Sequence, residues 1–405
     1  MIYSTLRHGF VMLFTSIALV SSLEYGELGV YADELVLIRA KHVITGDGTT
    51  LSPGAVLVDK GKITVVAESI ETEGAKVVEA DWVMPGLVNA ATNYGVSGGT
   101  SEMSLEVAAD FKTALSIDST SRDFREALDQ GVTTAHVLPG TECVIGGCSC
   151  IVKTSGGGSS GAAPVVLVEQ HGLGIALSSD PTSRNQSRGR PDTVFMRQPT
   201  NRMGVVWILR STMHEAKNDG ASPYLSDENK SIVLAALEGK MPIFSTSRKD
   251  VDIRTLFTLE DEFGIRPIVV GGAETYRVID AIREHKPTII FTDLTIGARA
   301  SSLRGEEGTA KRWNIAGQLA QAGIDFCLAG SDLMDQARFA SRFGLSREQA
   351  IAAVTMQPAK ILKIDQQVGS IAVNKDADLI AFQGDPLEFT SGIQWIMLNG
   401  KMTER

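Results

Sequence analysis

Apolar and polar positions along this chain follow different rhythms in its ends and in its middle. From residue 34 to 84 the apolar residues form short runs, Leu35 to Arg39, Ala55 to Asp59 and Lys62 to Ala67. Gly-Asp-Gly, Ser-Pro-Gly and Lys-Gly-Lys turns separate them, a pattern that predicts strands. The far end repeats it: Leu379 to Phe382 and Trp395 to Leu398 are strand-like, joined through Gly384-Asp385-Pro386 and followed by Asn399-Gly400. Two β-rich ends around a long middle predict that both join one small β-domain.

The middle alternates helix and strand signals, as a parallel α/β architecture does. Ser121 to Gln130 reads as a helix running into Val132 to Leu138, a strand that stops at Pro139-Gly140. Val165 to Val168, Met241 to Thr246, Pro267 to Val270, Thr288 to Phe291 and Asp325 to Ala329 are spaced as successive strands. Helices are predicted over Arg202 to Lys217, Ser231 to Leu237, Arg254 to Phe263, Thr275 to Glu284, Ala310 to Ala322 and Ser346 to Val354. The last of these starts with Ser-Arg-Glu, a capping sequence. Gly156 to Gly161 reads as a loop and Ser179 to Pro199 as irregular.

Composition narrows the function classes. The 405 residues are 43% hydrophobic and 21% charged, with net charge −10, as in a soluble globular protein with a large core. No basic cluster is dense enough to follow a phosphate backbone, which argues against nucleic acid. Arg7 and His8 precede an apolar run from Gly9 to Val20, and possible cuts follow Ser22 and Ala32. This reads as a secretory signal over residues 1–32, implying an exported, periplasmic or extracellular protein that does not stay in the membrane. In an oxidising compartment, Cys143, Cys148 and Cys150, with His136 close upstream, offer soft ligands for a thiolate metal site, but their spacing favours a Cys143–Cys148 bridge across Gly146-Gly147 or a reading as small buried residues. Cys327 stands apart.

Several segments then converge on one family. Val83-Met-Pro-Gly-Leu-Val-Asn-Ala-Ala-Thr-Asn-Tyr-Gly95 resembles the amidohydrolase superfamily, where Pro-Gly and two hydrophobic residues lead into Asp-Ala-His-x-His. Gly131 to Gly140 with Ile145-Gly146-Gly147 behind it, Gly330-Ser331-Asp332, Leu345 to Lys360 and Val368 to Leu379 resemble its imidazolonepropionase-like branch. The resemblance implies a (β/α)8 TIM-like barrel over residues 85–359. It also implies a composite β-sandwich domain from residues 33–84 and 360–405, and metal-dependent hydrolysis of carbon–nitrogen bonds, often in cyclic amides.

The metal chemistry of that family rests on imidazoles, and alternate residues of a strand aim the same way. Here the family's aspartate falls on Asn89 and its paired histidines on Ala91 and Asn93. The strand-five position falls on Ser245 or Thr246, and the strand-six position on Gly271 or Gly272. The chain has six histidines. Beyond residue 171 only His214 and His285 remain, both read as solvated surface residues. Lys153 is the one candidate for a carboxylated, metal-bridging lysine.

Asp332 is the catalytic position that persists, with helix capping or pocket lining as its other reading. Asn89, Asn93, Asp293 and Asp332 are oxygen donors that a hard cation could use. The resulting expectation is a degenerate barrel with no metal cofactor, whose mouth is lined by Asn93, Tyr94, Ser245, Glu274 and Asp332, with Asn89, Thr246 and Asp293. It would bind a small-molecule ligand or a homologous subunit in a homo- or hetero-oligomer. The alternative is a working hydrolase with an altered, zinc-type divalent site.

Overall fold

The computed structural model describes residues 35–96, 99–155, 165–183, 198–218, 225–294 and 312–403. The predicted signal segment and the loop at 156–161 lie outside these residues, as does most of the 179–199 stretch.

The leading strands are β1 (Val36–Ile44), β2 (Thr50–Leu51), β3 (Gly54–Asp59), β4 (Lys62–Ala67) and β5 (Lys76–Pro85). The middle supplies β6 (Leu87–Thr92), β7 (Val132–Val137), β8 (Ile145–Cys148), β9 (Cys150–Lys153), β10 (Val166–Val168) and β11 (Leu173–Ala176). It continues with β12 (Ile243–Ser247), β13 (Ile268–Gly271), β14 (Ile289–Thr292) and β15 (Phe326–Ala329). The chain closes with β16 (Leu379–Phe382), β17 (Ile393–Leu398) and β18 (Lys401–Met402).

Both ends do meet in one sheet. Its order is β18-β17-β16-β5-β1-β3-β4, with β2 beside β1. Strand β5 is the splice: it pairs parallel with β1 and antiparallel with β16, so the returning end docks on the leading one. Among the described residues these strands form a single hydrogen-bonded sheet rather than two facing ones. Gly86 then turns the chain into β6 at a close approach, because a Cβ there would lie 2.2 Å from the Thr133 hydroxyl.

The middle is a mixed α/β fold. Strand pairing among the described residues gives a four-stranded sheet, β10-β9-β7-β6, and a six-stranded sheet, β15-β14-β13-β12-β11-β8. Strands β11 to β15 run parallel, and so do β6 and β7. The two sheets share a seam at Ser149, where β8 leaves one and β9 enters the other. At the opposite seam, the loop after the helix Arg347–Ala352 lends two carbonyls: Val88 N–H donates to Val354 O (3.0 Å) and Leu328 N–H to Ala353 O (2.9 Å).

Between the sheets lies an apolar interior of Val88, Ala90, Ile151, Phe244, Val270, Ile290, Cys327 and Ala329. Ala359, Leu362, Ile364 and Val368 plug its end nearest the strand N-termini. Helices pack outside, and their starts follow the side-chain chemistry. Ser121 and Ser226 accept backbone N–H bonds as N-caps. Ser346 forms a capping box that closes through Gln349, not through the Glu348 of Ser-Arg-Glu.

Candidate functional site

A cavity of about 600 Å³ opens at the C-terminal ends of β6, β7 and β12 to β15. Its size suits a small organic molecule. Asn89, Ala91, Asn93 and Tyr94 reach it from β6 and the turn beyond, Thr246 from β12, Gly271 from β13, and Asp293 from the end of β14. The positions that carry metal ligands in the resembled family therefore do converge on one space. What they bring there is a methyl group, an amide, a hydroxyl and a bare glycine.

Asn89, fully buried, does a job that an aspartate could not. Its Nδ2 donates to Gly330 O (2.8 Å) and its Oδ1 accepts from Gly330 N–H (3.0 Å). The amide thus stands in for a missing rung between β6 and the end of β15. A carboxylate accepts only, and would face the Gly330 carbonyl. Gly330 sits at φ +95°, and a Cβ there would meet the Asp293 carboxylate at 2.3 Å.

Asn89 Nδ2 also donates to the Tyr94 hydroxyl (3.1 Å). Burial raises the Tyr94 pKa, and the charges of Asp123, Asp293 and Asp332 push the same way, against the Asn89 bond. The phenol is thereby kept protonated, as a donor at the cavity wall.

Three expected lining residues lie elsewhere. Ser245 is fully buried and bonds Ser247 (3.0 Å) on the outer face of β12, because strand alternation turns Phe244 and Thr246 inward. Glu274 is buried beside the rim, where it accepts from Asp250 N–H (3.4 Å) and pairs with Arg277 (3.7 Å). Asp332 is exposed, at φ +48°, in the N-cap position of the helix Leu333–Arg342, and makes no side-chain cap bond. It lies outside the cavity lining, on a smaller pocket with Gln130 and Arg338. It neither caps nor faces the mouth, so the oxygen set Asn89, Asn93, Asp293 and Asp332 is not brought together.

Lys153 points away from the cavity and is locked in a buried ion cluster. Its Nζ bonds Asp378 and, at 2.9 Å, Asp376, while Lys62 reaches Asp376 at 2.6 Å. Burial alone would lower the Lys153 pKa, but Asp378 and Asp376 outweigh it and hold it raised. A lysine held this way is an ammonium, not a carbamate.

The four cysteines are buried free thiols, so the small-buried-residue reading holds over a Cys143–Cys148 bridge. The Cys143 thiol donates to Glu102 O (2.8 Å) and the Cys148 thiol to Ala109 O (3.3 Å). Burial pushes the Cys150 thiol up to about 12. His214 is exposed on Glu262 (2.8 Å) as expected. His285, by contrast, is largely covered, stacked on Phe257 and bonded to buried Glu260 (3.2 Å).

The cavity has polar groups that the sequence reading passed over. Arg248 Nη1 donates to both carboxylate oxygens of Asp180 (2.7 Å each), and Thr141 Oγ1 donates to the same carboxylate (2.6 Å). Ser101 donates to Glu142. Arg248 lies two residues beyond Thr246, so reading past the family position would have found it. As a metal site the set does not fit. Asn93, Thr246 and one carboxylate, Asp293, already engaged by Ser331 N–H (2.9 Å), are poor zinc donors. No three histidine, cysteine or acidic side chains among the described residues group to hold an ion.

Residues 272–403 match the amidohydrolase family model, the stretch carrying Gly330-Ser331-Asp332 and the returning β-domain. That match covers about a third of the chain, and over it the chain resembles the amidohydrolase family. An amidohydrolase from Thermotoga maritima MSB8 superposes with a TM-score of 0.78 at 22% identity, over 91% of this chain and 100% of its own. A prolidase complexed with N-methylphosphonate-L-proline gives 0.56 at 15%, over 92% and 100%. A zinc-bound adenosine deaminase from Xanthomonas campestris gives 0.53 at 16%, over 91% and 92%. At these identities the likeness is one of fold. No curated protein matches the chain in sequence.

Proposed function

We propose that this protein is an exported, non-catalytic member of the amidohydrolase superfamily, of its imidazolonepropionase-like branch, that binds a small polar molecule in the cavity. The architecture is read as a (β/α)8-type barrel, with the cavity at its mouth, where such folds place their sites. One observation carries the reading. The family's ligand positions converge on the cavity, yet they present Ala91, Asn93, Thr246 and Gly271. Loss at one position would retune a metal site, whereas loss at all of them, with Asn89 turned into a strand clamp, removes the requirement for metal.

The cavity still offers donors from Tyr94 and Arg248 and acceptors from Asp293 and Glu142, enough to orient a ligand with both kinds of group. Native mass spectrometry of the purified protein should find a co-purifying small molecule or, with a metabolite library, a stabilising one. Thr246→Trp, which places an indole in the cavity, should abolish that binding. Hydrolysis of cyclic amides that the same substitution removes would overturn the reading in favour of an active enzyme. A homologous subunit as partner remains the second proposal; co-purification with a relative that keeps His-x-His would support it.

A further inference from the structure

Below Thr246, on the same inward face of β12, lies Phe244, and two histidines pack against its ring. His136 of β7 has its ring centroid 4.5 Å from Phe244, and His171, just before β11, lies 5.6 Å away. The two imidazoles are 5.3 Å apart and nearly perpendicular. His136 is completely buried. Its Nδ1 lies 2.8 Å from Ala90 O, and only an N–H can satisfy a carbonyl, so Nδ1 carries the proton and Nε2 a bare lone pair.

That Nε2 has no hydrogen-bond partner, and neither has the Nε2 of His171. His171 is only partly covered as a residue, yet its Nε2 is buried, so this edge of the ring faces inward. Thr134, two residues before His136 on the same face of β7, is fully buried with its hydroxyl also unpartnered. Two imidazole nitrogens and, two residues along the same strand face from His136, one hydroxyl are thus left unmet in an otherwise apolar interior.

We infer that the Nε2 atoms of His136 and His171, together with the Thr134 hydroxyl, hold one buried water molecule beneath the ligand cavity. With the His171 proton placed on Nδ1 as part of this inference, the count closes: a water donates two hydrogens, one to each imidazole lone pair, and accepts the threonine proton. Three bonds are the usual complement of an internal water. Competing occupants fit less well. A proton is disfavoured because burial pushes His136 down to about 3 and His171 to about 4. A divalent cation would find two neutral imidazoles and no carboxylate or thiolate to complete a set among the described residues. The charge of Lys363, which already acts on His171, would oppose it. A neutral donor is what remains.

The site is independent of ligand binding in the cavity, so its test stands apart. A crystal structure with anomalous data at the zinc edge should show a single water-sized peak within about 3 Å of both Nε2 atoms, without anomalous signal. In ¹⁵N-histidine spectra near pH 7, both residues should be the neutral Nδ1–H tautomer. His136→Phe should lose the peak while the Asn89–Gly330 pairing stays intact. An empty site, an anomalous peak, an Nε2–H tautomer on His171 or a peak retained in the variant would each overturn the inference.

Discussion

Replacing Lys153 with methionine probes the joint between the central sheets and the terminal one. Lys153 is 1% exposed, and Asp376 and Asp378 are 6% and 5% exposed. The substitution keeps most of the side-chain volume but removes the charge facing both carboxylates. Asp376 keeps Lys62 at 2.6 Å; Asp378 keeps only the Asn399 N–H at 2.9 Å. Breaking a buried pair by deleting one partner costs about 3–5 kcal/mol, because a charge is left buried and uncompensated. That is a large share of the roughly 5–15 kcal/mol holding a typical protein. Urea unfolding of Lys153→Met against the parent measures it. Adding Asp378→Asn, which removes the stranded charge, should recover at least about 1 kcal/mol. A loss under about 1 kcal/mol in the single variant would place the cluster among solvent-screened pairs and refute the argument. Intact-mass analysis should also show no carbon dioxide adduct on Lys153.

Further outcomes follow from the same geometry. His136 has a folded pKa near 3, below its unfolded value, so its stability contribution is whole above about pH 6.5 and falls away as pH drops. Between pH 6.5 and 5 the loss is about 2 kcal/mol for this residue, and a urea midpoint unchanged across that range would contradict its burial. Asn89→Asp should cost about 1–3 kcal/mol, because the Gly330 carbonyl loses its donor; a thermal midpoint equal to the parent's would contradict the clamp. Ala91→His with Asn93→His should not create activity, because Thr246 and Gly271 still supply no imidazole; measurable cyclic-amide hydrolysis by that double variant counts against this. All four cysteines should react with a thiol reagent only on unfolding, and rapid labelling of the native protein would be inconsistent with their burial.

Much of the fold was legible because periodicity reports burial. β4 and β16 fall where the apolar runs place them, and the parallel strands from β12 to β15 differ from their expected spans by one or two residues at an end. What was hidden was non-local. Nothing in the sequence says that Asn89 reaches Gly330, so it read as a degraded ligand rather than a clamp. Ser245 and Thr246 could not be told apart until the pleat of β12 was fixed. Asp332 kept its motif but lost its place, since a left-handed backbone turns it to solvent. Lys153 looked available because its partners lie more than two hundred residues away. His171 was passed over because it stands in no family motif; its unpartnered nitrogen is visible only in three dimensions.

The central claim is that the cavity works without a metal ion. Elemental analysis of the protein, purified without chelator and then dialysed, tests it most directly. The account predicts zinc, manganese and iron well below stoichiometric amounts. About one or two equivalents of any of them would mean that the ligands lie elsewhere and that this protein is a working hydrolase.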